Sequence, residues 1–161
     1  MNTDPVEMKD TSKREIVTTR LLDAPRELVW KVWTEQEHIE KWWGPIGFTT
    51  TTQEMDVRVG GHWQHTMHGP NGVDYPGEMH YQEIKMPERL VYFHGGGKGA
   101  PAEVEFTSVV TFEDVDGKTL LTMRMIFVSA EELERVQIKY HAIEGAKQNI
   151  GRLAEYVVHI Q

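Results

Sequence analysis

Apolar and polar positions first follow the pattern of a strand. Glu15 to Leu22 (EIVTTRLL) is rich in β-branched side chains and predicts an extended segment. Asp23-Ala24-Pro25-Arg26-Glu27 then opens a helix, because proline fits the first helical position and Glu27 complements the first-turn dipole. Leu28, Val29, Val32 and Trp33 recur at helical spacing, and a second short helical segment is expected from Glu35 to Trp43, stopped by Gly44-Pro45. From Phe48 to Val128 the pattern is that of strands. Phe48 to Val57 is Thr-rich, Gly60-Gly61 interrupts, His62 to His68 alternates, and Gly69-Pro70-Asn71-Gly72 turns the chain. Gly77 to Lys85 and Leu90 to His94 follow, separated by Met86-Pro87-Glu88.

Asp116-Gly117 is a strong hairpin signal. Folding the chain about it sets Phe112 opposite Leu121, Val110 opposite Met123, Ser108 opposite Met125 and Phe106 opposite Phe127, an almost continuous apolar stripe. The other face carries Thr111 with Thr122 and Val109 with Arg124, as in antiparallel strands covered on one side. After Val128 the spacing turns helical. Ser129 and Glu132 form a capping box, and Leu133, Val136, Tyr140, Ile143, Lys147, Ile150, Ala154 and Val157 step by three or four. Unbroken to His159, this helix would be about 45 Å long. Its stripe needs a large apolar partner, and the concave face of the sheet is the one available. Gly145 and Gly151 each weaken it by about 1 kcal/mol relative to alanine. They are either merely tolerated or leave space beside the sheet.

Length and charge narrow the class. A chain of 161 residues fits one domain, with residues 1–13 read as a flexible polar tail and 14–161 as the domain. Seventeen Lys+Arg against 25 Asp+Glu give a net charge of −8, which argues against a nucleic-acid or anionic-membrane surface. The absence of cysteine removes disulfides, thiolate metal sites and thiol nucleophiles. Leu120 to Val128, broken by Thr122 and Arg124, falls far short of a membrane span, and the first residues lack a signal's apolar region; a cytoplasmic location is expected. No dinucleotide, P-loop or nucleophile-elbow motif is present, so no cofactor is expected. Gly95 to Pro101 reads as a mobile loop rather than a phosphate cradle or a domain boundary.

His62, His65 and His68 form an HxxHxxH run that invites a metal reading. On a strand, however, His65 points away from the other two, and only His62, His68 and His80 of the next strand share a face. The plainer reading, hydrogen-bonded surface histidines, is preferred, and no metal is expected.

Several local words occur in a familiar order. Asp23-Ala24-Pro25 precedes Val29-Trp30, then come Trp42-Trp43-Gly44-Pro45, Val59-Gly60-Gly61 with Trp63, and Gly69-Pro70 with Gly72. Gly77, Glu83-Ile84, Pro87-Glu88-Arg89-Leu90, Phe112, Gly117-Lys118-Thr119 and Glu144-Gly145 with Leu153 complete the series. Over about residues 14 to 160 the chain resembles the activator of heat-shock protein 90 ATPase homologue (AHSA-type) family, within the START-like (SRPBCC, birch-pollen-allergen-like) superfamily. The resemblance implies an α+β helix-grip fold. Six to seven antiparallel strands would curve around a long C-terminal helix, with two short helices after the first strand. It also implies a cavity, since superfamily members take lipids, sterols or polyketides between helix and sheet, and a few are cyclases or aromatases. The family's eukaryotic namesake carries a further docking domain for its chaperone, which this sequence is expected to lack.

On that frame Trp63, His65, Met67, Met79, Tyr81, Phe106, Met123, Met125, Phe127 and Tyr140 are the expected cavity residues, with Trp42 and Trp43 at its mouth. Dry packing is the competing reading for each one. The leading expectation is binding of a small apolar molecule, by a monomer or homodimer. One alternative is a chaperone-associated module of the stress response, another a cyclase- or hydrolase-like enzyme with His65 as acid or base.

Overall fold

The computed structural model describes residues 10–96 and 104–161. Residues 1–9 of the expected tail, and 97–103, which include most of the expected glycine loop, lie outside the described residues. The elements are β1 (Glu15–Leu22), α1 (Arg26–Thr34), α2 (Gln36–Ile39), β2 (Thr49–Met55), β3 (His62–His68) and β4 (Asp74–Lys85). β5 (Arg89–Gly95), β6 (Phe106–Val115), β7 (Lys118–Ile126), α3 (Ala130–Tyr140) and α4 (Ala142–His159) complete the chain.

All seven strands form one antiparallel sheet in the order β1-β7-β6-β5-β4-β3-β2. Strands β2 to β7 are a meander, and β1 closes the far edge by pairing with β7. In the last hairpin Phe112 faces Leu121, Val110 faces Met123 and Ser108 faces Met125. The ladder ends at Thr107 and Ile126, so Phe106 and Phe127 lie one step beyond it, their rings 5.5 Å apart.

Two element boundaries differ from the sequence expectation. α2 stops at Ile39, and turns carry the chain through Trp42 and Trp43 into the core. β4 begins at Asp74, not Gly77, with Pro76 paired to Thr66; proline cannot donate to a ladder and so reads as a break.

The C-terminal segment is divided, not a single rod. His141 adopts φ 54 and ψ 51, its N–H donates to the Gln137 carbonyl, and the Gln137 side chain accepts from Ile143 N at 2.8 Å. A left-handed residue ends a helix as a C′ glycine does, and histidine is among the residues that tolerate this region. Apolar spacing runs through the break unchanged, which hides it from periodicity. Upstream, Ser129 Oγ caps α3 by accepting from Glu132 N at 3.0 Å.

Beneath α1 the inner face of the sheet is sealed by aromatic rings. Trp33 packs edge-on to Trp42 at 4.9 Å, to Phe112 at 5.7 Å and to Trp43 at 6.0 Å, while Trp30 meets Phe112 at 5.2 Å. Val29, Val32, Leu153 and Val157 fill the gaps, all without solvent exposure.

Candidate ligand cleft

Away from this packed end, the same inner face is left partly uncovered. Alternation sends Trp63, His65 and Met67 of β3 inward, and brings Gly77 of β4, Tyr92 and His94 of β5, Phe106 and Ser108 of β6, and Met123 and Met125 of β7 to the same side. Between this floor and the α3–α4 segment lies a partly enclosed cleft of about 1120 Å³. Its lining includes Met67, Phe106, Met123 and Met125 from the sheet and Tyr140, Gly145 and Ala146 from the helices.

The loop after α2 forms another wall, and α4 holds it. Arg152 Nη1 donates to the carbonyls of Trp43 at 3.2 Å, Gly44 at 3.0 Å and Pro45 at 3.2 Å. Asn149 Oδ1 accepts from Gly44 N at 3.0 Å and Gln148 Oε1 from Ile46 N at 3.1 Å. Gly44 itself has φ +105, a conformation that favours glycine.

The polar groups of the floor are unusual. His65 stacks on Trp63 with ring centroids 3.9 Å apart, and His94 stacks on Phe106 at 4.8 Å; the two imidazoles lie 6.1 Å from each other. They meet over Gly77. A Cβ there would come within 3.1 Å of His65 Nε2 and 3.2 Å of His94 Cε1. His65 Nε2 and His94 Nδ1 are buried and have no hydrogen-bond partner among the described residues, while the Ser108 hydroxyl meets the Tyr92 phenol. Burial pushes the His65 imidazole down to about 3, the nearby His94 adding to it and the Trp63 carbonyl opposing. His94 faces the cleft rather than bulk water, and burial pushes it down to about 4. Both rings are therefore neutral at pH 7. Burial likewise raises the phenols of Tyr81 and Tyr92 above their ordinary range.

Of the residues expected at the cavity, His65, Met67, Phe106, Met123, Met125, Tyr140 and Trp43 line the cleft. Trp63, Met79, Tyr81 and Phe127 lie behind that lining in the core, at most 2% exposed. Trp42, expected at the mouth, is fully buried, its Nε1 donating to the Val32 carbonyl at 3.1 Å; the early end of α2 turns its ring under α1. His94, Gly77, Ser108 and Asn149 were not among the residues expected at the cavity, although Gly77 belongs to the family series and Ser108 to the hairpin stripe. Period-two spacing from Leu90 through Tyr92 would have put His94 on the inner face.

The outer-face histidines do not converge. His62 sits 2.7 Å from Glu54 and 3.6 Å from Glu78, and His80 reaches Glu78 at 3.6 Å. His68 lies at the other end of β3, against Asp74 at 2.8 Å and Thr51 at 2.9 Å. Six residues of strand, about 20 Å, separate it from His62.

A sheet that grips a C-terminal helix pair over a cleft of ligand size defines a START-like, helix-grip domain. The profile of the family described as "Activator of Hsp90 ATPase homolog 1-like protein" matches residues 23–158, and the chain belongs to that family. Solved structures share the fold. A solution structure from Arthrobacter aurescens is 24% identical with a TM-score of 0.85, covering 94% of this chain and 90% of that one. A crystal structure from Mycobacterium smegmatis is 28% identical, TM-score 0.79, over 91% of each chain. The AHSA1 protein of Silicibacter pomeroyi is 18% identical, TM-score 0.71, over 91% of this chain and 99% of that one. No curated protein matches. Among the described residues no helix is long and apolar enough to cross a membrane.

Proposed function

We propose that the chain binds a small, largely apolar molecule between the sheet and the α3–α4 segment. One observation carries this reading: the space of about 1120 Å³ walled by Met67, Phe106, Met123 and Met125 where a dry core would have closed the sheet. Methionine and aromatic walls suit an adaptable apolar site, and ligand sites commonly fall in about this size range. Trp43 lines the space and Trp63 stacks under His65, so an occupant should alter tryptophan emission. Titration with the uncharged dye Nile red should therefore give saturable quenching. Strictly linear partitioning of the dye, with no saturation, would overturn the reading.

The family description favours a second reading, contact with a chaperone. It expects the purified chain to stimulate the ATPase of an Hsp90-class chaperone, and an unchanged rate at saturating protein would remove it.

A further inference from the structure

We infer that the cleft floor is a headgroup site for an uncharged, largely apolar molecule, whose hydroxyl or carbonyl oxygen is received by the His65–His94 pair. This rests on the binding reading above and gives it a ligand class.

The geometry points to this class in three steps. First, the floor holds hydrogen-bonding capacity that the described residues do not use: His65 Nε2 and His94 Nδ1 are both buried without partners among them, while the Ser108 hydroxyl beside them meets the Tyr92 phenol. Buried polar atoms are nearly always satisfied, so a pair of orphans beside open space calls for a partner from outside the chain. Second, the rings are held in place rather than free to swing toward water. Each is stacked on a neighbouring aromatic, at 3.9 Å for His65 and 4.8 Å for His94, and Gly77 leaves the space in which they approach. Third, among the described residues the inner polar groups are all neutral. His65, Tyr92, Ser108 and Asn149 line the deep part, each less than a tenth exposed, whereas Asp74 and Lys139 are exposed at the rim.

A neutral imidazole offers one donor and one acceptor, which matches a hydroxyl and, through its N–H, a carbonyl. A carboxylate sunk to the same depth would lose its water without meeting a cation among the described residues there, so anionic lipids are disfavoured. Burial, which holds both imidazoles below their ordinary range, acts in the same direction.

The test is a matched set of probes at neutral pH: naphthalene, 2-naphthol and 2-naphthoate, each competed against Nile red. 2-Naphthol should bind about five- to ten-fold more tightly than naphthalene, the gain from a hydrogen bond to a neutral partner. 2-Naphthoate should bind more weakly than naphthalene. His94→Phe keeps a flat ring on Phe106 and should level naphthol with naphthalene to within about two-fold. In the wild-type protein the imidazole nitrogen resonances of His65 and His94 should move on adding 2-naphthol and stay in place with naphthalene, a readout that needs no variant to fold. Naphthoate binding as tightly as naphthol, naphthol no tighter than naphthalene, or unmoved resonances would each overturn the inference. Saturable Nile red binding alongside any of these would leave the binding reading standing; loss of Nile red saturation itself would bring down both.

Discussion

The two ends of the inner sheet face are built from the same residue types and reach opposite results. Under α1, Trp30, Trp33, Trp42 and Phe112 interlock edge to face and shut water out. Toward α3 the rings continue through Trp43, Trp63, His65, His94 and Phe106; Trp43 still meets Trp63 edge-on, but His65 lies flat on Trp63 and His94 flat on Phe106 along the floor, and no described residue fills the space above. Edge-to-face rings interdigitate in depth, whereas stacked rings pave a surface. The number of aromatics on a strand face therefore says little about whether that face is closed. An orphan polar atom occurs at both ends, since Trp33 Nε1 also lacks a partner among the described residues, but among these residues only at the cleft do such atoms cluster and adjoin free volume.

The largest effect that would test this contrast comes from the sealed end. Trp33 has no solvent exposure and touches three other rings, so Trp33→Ala should leave a cavity and lower stability by about 3–5 kcal/mol in urea unfolding. A loss below about 1 kcal/mol would mean that the packed end is looser than the ring contacts imply.

The next effect belongs to the open end and is driven by pH. His65 and His94 are held at about 3 and about 4, whereas both titrate near 6.5 when unfolded. As pH falls below that value the unfolded chain takes up protons that the folded chain refuses, so stability drops. The slope is about 1.4 kcal/mol per pH unit for each histidine, and it ends once the folded rings themselves protonate. Stability measured from pH 7 down to 4 should therefore fall in the wild type and fall much less in a His65→Phe/His94→Phe double variant. Equal slopes in the two proteins would show that neither ring is kept neutral by the fold.

The same contrast explains what could be read from the sequence. Strands, the β6–β7 register and the Ser129 cap follow from local rules, because alternation and turn chemistry are recorded residue by residue. The break at His141 and the inward turn of Trp42 depend on backbone dihedrals and on distant contacts with α1 and α4, which leave the periodicity unchanged. At the cleft, His65, Met67, Met123 and Met125 were legible from strand faces alone. The pairing of His65 with His94 was not, since it joins strands that are not neighbours and depends on a glycine between them.

That glycine gives a smaller and more discriminating effect. A methyl group at Gly77 would press on both imidazoles at 3.1–3.2 Å, and both are pinned by stacking. Gly77→Ala should lower stability by about 1–3 kcal/mol and weaken Nile red binding. Unchanged thermal unfolding would show that the floor can give way.

Gly145, on the opposite wall, supplies the control and the smallest effect. Among the described residues a Cβ there would meet only Pro45 Cγ at 3.7 Å, an ordinary contact, and the residue lies inside α4 with no left-handed conformation to preserve. Alanine should then act through helix propensity and unfolded-chain entropy, raising stability by about 0.5–1 kcal/mol. Nile red affinity should stay within about two-fold, because a methyl group removes little of so large a space. If Gly145→Ala instead abolished dye binding, the helix wall would be as tightly specified as the floor, and the cleft would be a shaped site on both sides rather than a fixed sheet surface under an adaptable roof.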